Sequence, residues 1–197
     1  MHLYPNTKIP STPLGRFFRK PLIEKSLSEY YYGLGFEYTH KFDTNYRKND
    51  LRIAKYCFKT ALRCNPENVD ANIGLAAVHI RLRSKRHLRK AEKLLENALE
   101  KKPGVAEIKL NLGRVYNLRG ELSKAIAIIE EAKQISPTHP TINLDLAEMY
   151  LKRLQEDNKN PDKNDIDRIK QCLKIAISSN FTPIRERAIK WLNKLEK

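Results

Sequence analysis

No stretch of this 197-residue chain approaches the roughly 18 consecutive apolar residues that a membrane-spanning helix needs, so integral membrane association is not expected. The opening residues, MHLYPNTKIPSTPLGRFF, hold no continuous apolar run either, which argues against a secretory signal. Cysteine is scarce: there are three, an odd number, with no Cys-x-x-Cys spacing. Cys57 and Cys64 fall on what reads as one helix, about 10 Å apart along a face and too far for a disulfide. The five histidines are scattered and complete no zinc pattern, so neither metal nor cofactor is expected. A reducing intracellular compartment fits this usage, the cytoplasm first, with nucleus and organelle left open. Val, Ile and Thr show no sustained period-two alternation, which excludes a sheet. A glycine-rich phosphate loop, a His-Glu-x-x-His pair and a Gly-x-Ser-x-Gly elbow are all missing. No catalytic residue is assigned, and the chain reads as non-enzymatic.

What is present is charge and helix. Apolar residues make up 41% and charged residues 31%, enough apolar content for a packed core. Lys and Arg number 38 against 23 Asp and Glu, a net charge of +15 that favours acidic partners: nucleic acid, acidic protein faces or anionic membrane surfaces. Prolines are absent between residues 22 and 65 and then punctuate the chain at Pro66, Pro103 and Pro137. Ahead of each the same pattern recurs. Ala54, Phe58 and Ala61 precede Pro66; Ala91, Leu95 and Ala98 precede Pro103; Ala125, Ile129 and Ala132 precede Pro137. Offsets of four and seven put each trio on one helical stripe, with alanine where two backbones come close and proline where the helix stops. Upstream, a large residue, a small one and a ring recur as Leu34, Gly35 and Tyr38; Leu75, Ala76 and His79; Leu112, Gly113 and Tyr116; and Leu146, Ala147 and Tyr150. His79 occupies a ring position and reads as a packed core histidine. Asp162, Asp165 and Asp167 lack the glycine and terminal glutamate of a calcium loop and read as a solvated connection.

These residues resemble the tetratricopeptide-repeat family, whose 34-residue unit has the same small–large signature. The resemblance implies an all-α fold, a right-handed superhelical solenoid of helix-turn-helix repeats. A basic, proline-containing extension (1–27) would precede four repeats at 28–68, 69–105, 106–139 and 140–183, with a capping helix over 184–197. The third repeat fits without gaps, Gly120 lying at its turn. The first two need about seven and three extra residues, expected in their inter-helix turns. The fourth is degenerate, with Ile169, Leu173 and Ala176 at signature positions after an insertion rich in Asn, Asp and Lys.

In proteins of this kind the first helix of each repeat lines a concave groove for a peptide or helix. The resemblance places Tyr32 and Phe36, Ile73 and Ala77, Leu110, Asn111 and Arg114, and Leu144, Asp145 and Glu148 on that groove. Tyr32, Phe36, Ile73, Leu110 and Leu144 would form its apolar track. The Lys/Asn carboxylate clamp of chaperone-binding members is missing, so capture of a chaperone tail is not expected. Leu14, Phe17, Phe18, Leu22 and Ile23 of the extension have four readings: packing on the first helix, insertion in the groove, partner binding, or an organellar presequence. Residues 1–103 carry 21 basic and 10 acidic side chains. Arg81, Arg83, Lys85, Arg86, Arg89 and Lys90 would lie at the second inter-helix turn, with Arg47 and Lys48 at the first, merging into one basic edge. The expected function is an adaptor or scaffold holding a protein segment in its groove, its basic edge docking an acidic partner. The alternative is non-specific contact of that edge with RNA or DNA phosphates. A weaker third reading is peripheral attachment to an anionic membrane.

Overall fold

The computed structural model describes residues 20–156 and 162–195; Leu14, Phe17 and Phe18 of the extension lie outside them. Among the described residues there are nine helices and no strand: α1 (Lys20–Asn45), α2 (Lys48–Cys64), α3 (Val69–Leu82), α4 (Lys85–Lys101), α5 (Ala106–Leu118), α6 (Leu122–Ile135), α7 (Pro140–Glu156), α8 (Lys163–Ile177) and α9 (Thr182–Leu195). The all-α repeat architecture legible in the sequence is the one observed. By contact the chain divides into two compact units, Met1–Ala71 and Asn72–Lys197, the division falling inside α3.

In the first unit α1 packs along α2. Leu51, Ala54, Cys57, Phe58 and Ala61 are the buried face of α2, at helical spacing. Gly35 shows why its position must be small. A Cβ there would stand 2.8–3.0 Å from three atoms of the Phe58 ring, closer than side-chain carbons pack. A short polar network closes the unit. Buried Ser28 donates to the Ala61 carbonyl at 2.9 Å and accepts from Asn68 Nδ2 at 2.9 Å. Asn68 Oδ1 in turn accepts from the Ala71 amide at 2.8 Å, satisfying a free N–H in the first turn of α3.

In the second unit each helix from α4 to α9 packs on the next. The second helix of each pair buries one stripe: Leu88, Ala91, Leu95 and Ala98 on α4, Ala125, Ile129 and Ala132 on α6, and Ile169, Cys172, Leu173 and Ala176 on α8. First helices are enclosed on more sides, and α7 alone buries nine residues, Asn143 and Asp145 among them. Gly113 repeats the role of Gly35, since its Cβ would fall 2.3 Å from Ile129 Cγ1. Helix α9 ends the stack, burying Ala188 and laying Trp191, Leu192 and Leu195 against the core.

The extra residues of the first two repeats are not in their turns. Only Tyr46 and Arg47 separate α1 from α2, and only Arg83 and Ser84 separate α3 from α4. The surplus instead lengthens helices: α1 has 26 residues and α2 and α4 have 17 each, against 13 and 14 for α5 and α6. With no proline between residues 22 and 65, nothing stops α1 from continuing, and an added residue gains a hydrogen bond. Within the first three helix pairs, α1/α2, α3/α4 and α5/α6, the chain reverses through one left-handed residue each, Tyr46 (φ 54), Arg83 (φ 55) and Gly120 (φ 83). At Gly120 the amides of Gly120 and Glu121 return to the carbonyls of Asn117 and Tyr116, the paired bonds of a Schellman ending.

Candidate interaction surfaces

The residues assigned to the groove separate into two classes. In the second unit Ile73, Leu110 and Leu144 are 3%, 4% and 0% exposed, so they belong to the core and supply no apolar track to a ligand. The reason is packing: α5 meets both α4 and α6, and α7 meets α6, α8 and α9, so these positions face helices instead of water. Asn111 and Asp145 are buried as well. The row one turn further along, Ala77, Arg114 and Glu148, is half-buried and reaches solvent. Its charges are engaged within the chain. Arg114 Nε donates to Asp145 Oδ2, tying α5 to α7. Glu148 accepts from Arg187 Nη2 at 2.6 and 2.7 Å and from Trp191 Nε1 at 3.2 Å, tying α7 to α9. Those two partners on α9 were not anticipated; an acid on a first helix carries no sequence signal for what will meet it.

The first unit differs. Tyr32 is half-buried, its ring 6.1 Å from that of Phe58, whereas Phe36 is 59% exposed. The outer face of α1 also exposes Leu22 (70%), Ile23, Leu27 and Tyr30 (63%). At 100° per residue these side chains, with Ser26 and Gly33 between them, share one broad side of the helix. Tyr30 was missed in the sequence because it sits outside the repeat signature. Among the described residues seven of the eleven exposed large hydrophobic side chains belong to this unit, five of them on α1.

The ring positions hold helices together. His79 is buried, and its Nδ1 lies 2.7 Å from Nδ1 of His87, the two rings stacked at 4.8 Å, so the two imidazoles join α3 to α4. Tyr150 donates to Glu130 of α6, with the guanidinium groups of Arg153 and Arg168 5.0 and 5.8 Å from its ring centre. Burial, and then the Glu130 carboxylate, push its phenol up to about 12.

The basic residues lie mostly on helix, not in turns. Arg47 and Lys48 stand at the start of α2 in the first unit. In the second, Arg81 is in the last turn of α3 and Arg83 in the turn. Lys85, Arg86, Arg89 and Lys90 occupy the opening turns of α4. No group of three or more His, Cys, Asp or Glu among the described residues is placed to hold a metal ion, and no described helix is long and apolar enough to cross a membrane.

Comparison with known proteins agrees with this geometry. A family profile described as tetratricopeptide repeat matches residues 80–140. The human protein named interferon-induced protein with tetratricopeptide repeats 2 is 29% identical over 93 residues, 47% of this chain but only 20% of that protein, so the match spans about a fifth of its length. A thermophilic tetratricopeptide-repeat protein of Thermus thermophilus superposes with a TM-score of 0.58 at 20% identity, covering 88% of this chain and 99% of that one. YrrB, described as a tetratricopeptide-repeat protein with an unusual peptide-binding site, gives a TM-score of 0.53 at 22% identity, over 84% and 74% of the two chains.

Proposed function

Because the chain belongs to the tetratricopeptide-repeat family, we propose that it is a non-enzymatic adaptor or scaffold subunit that holds an apolar peptide or helix of a partner protein. Members of this family mediate protein–protein interaction. The observation that carries the reading is the outer face of α1, where Leu22, Ile23, Tyr30 and Phe36 stand in water. Aromatic side chains lose little conformational freedom on binding and dominate interface energetics, so Tyr30 and Phe36 are the anchors. The likeness to YrrB, whose description names a peptide-binding site, supports a peptide or helical segment as the ligand class.

The test is affinity capture of the tagged chain from its native extract with nuclease present, beside a Tyr30→Ala/Phe36→Ala variant, both read by mass spectrometry. Both residues are exposed, so the variant should keep the helicity and melting temperature of the parent. Loss of one or two stoichiometric proteins from the variant is the expected result. Recovery of the same proteins in the same amounts would remove α1 as the binding face.

A further inference from the structure

The second unit carries a surface that the adaptor reading does not use. Arg83, Lys85, Arg86, Arg89, Lys90 and Lys93 are all exposed, and none makes an ion pair with any described residue. One acid lies in their midst, Glu92, and its two oxygens are taken by Nη1 of Arg119, the residue that follows α5, at 2.7 Å. Lys85, Arg89 and Lys93 succeed one another every four residues and form one line along α4, rising about 6 Å per step. Arg86 and Lys90 form a second line beside it.

Local stability does not account for this placement. The first turn of α4 contains no acid, and the cations there, Lys85 and Arg86, face the positive end of the helix dipole, which opposes them. Nor does a protein interface. The apolar residues between Arg83 and Lys93, Leu88 and Ala91, are turned into the core, leaving the aliphatic Leu82 (38% exposed) beside Arg83 and no cluster of aromatic anchors of the kind on which interfaces are built. One leucine is likewise too little apolar surface to hold a bilayer. Single-stranded nucleic acid is bound by stacking bases on aromatic rings; this stretch has no Phe, Tyr or Trp, and the ring of His87 is stacked on His79. A duplex backbone, which offers regularly spaced phosphates and hides its bases, needs only such rows of cations.

We propose that the exposed face of α4, with Arg83 ahead of it, binds the phosphodiester backbone of a nucleic-acid duplex without reading its sequence. The test is fluorescence anisotropy of the full chain with labelled DNA and RNA duplexes of about 20 base pairs, two helical turns, over a salt series. If about four phosphates are neutralised, the logarithm of the binding constant falls with that of salt with a slope of about −3 to −4. The variant R83E/K85E/R86E/R89E should bind on the order of a hundredfold more weakly at low salt and lose most of that slope. Its melting temperature should not fall, since glutamate suits the first turn of a helix. A second variant, K90E/K93E, leaves the turn untouched and should weaken binding in the same direction. Unchanged affinity in both variants overturns the proposal. So does equal or tighter binding of a single-stranded oligonucleotide, of polyglutamate, or of phosphatidylserine vesicles.

Discussion

Glycine positions separate two meanings of a small residue. Gly33 and Gly113 both lie inside helices, where replacing glycine by alanine gains about 0.5–1 kcal/mol from the smaller loss of backbone entropy. At Gly33 an added Cβ meets nothing within 4 Å, so Gly33→Ala should stabilise by that amount. At Gly113 the same carbon would stand 2.3 Å from Ile129 Cγ1 and 3.2 Å from the Ala125 carbonyl oxygen. Overpacking there outweighs the helix gain, and Gly113→Ala should cost about 1–3 kcal/mol net, partly recovered by adding Ile129→Val. Urea denaturation of these three variants beside the parent checks the signs; equal responses at Gly33 and Gly113 would mean that the close approach of α5 and α6 is not what selects glycine. The sequence made the recurrence of small residues at this position legible, because the spacing repeats. It could not make the partner legible: that Phe58 faces Gly35 and Ile129 faces Gly113 is a fact of how paired helices meet.

At the scale of elements, Tyr150 joins three helices. It lies on α7, donates to Glu130 on α6, and has Arg168 of α8 beside its ring. Burial and the carboxylate hold the phenol neutral up to about 12, above the 10.0 of an exposed tyrosine. The unfolded chain therefore releases this proton at lower pH than the folded one. The stabilisation that results is complete below pH 10 and is lost as pH rises from 10 through about 12. Tyr150→Phe should lower stability near neutrality through the lost hydrogen bond, yet flatten its decline across that alkaline window. Urea midpoints of parent and variant across the window measure the difference; parallel curves would show that the phenol is not the group being titrated. The sequence identified a recurring ring and nothing of its charged surroundings, since Glu130 and Arg168 are brought to it only by the stacking of α6 and α8. Turns behave the same way. Gly120 was recognisable because glycine favours positive φ, whereas Tyr46 and Arg83 adopt that conformation with no residue-type signal to announce it.

For the molecule as a whole, the division between core and surface is set by how helices enclose one another and leaves little mark on periodicity. A helix enclosed by neighbours is apolar on several sides, so periodicity alone assigns Leu110 or Leu144 equally well to the core or to a groove. Burial assigns them to the core. What remains outside is unevenly distributed: apolar and aromatic side chains on α1 in the first unit, and unpaired cations on α4 in the second. The two surfaces share no residue and call on different physics, area removed from water for one and counterion release for the other. They should therefore fail separately. Tyr30→Ala/Phe36→Ala should lose the captured protein and keep the salt-dependent binding of a duplex. R83E/K85E/R86E/R89E should do the reverse. Measuring both readouts on both variants distinguishes two independent contacts from one. If either variant abolished both, a single partner would have to engage α1 and α4 together, and the chain would be reading one ligand with two chemistries instead of joining two.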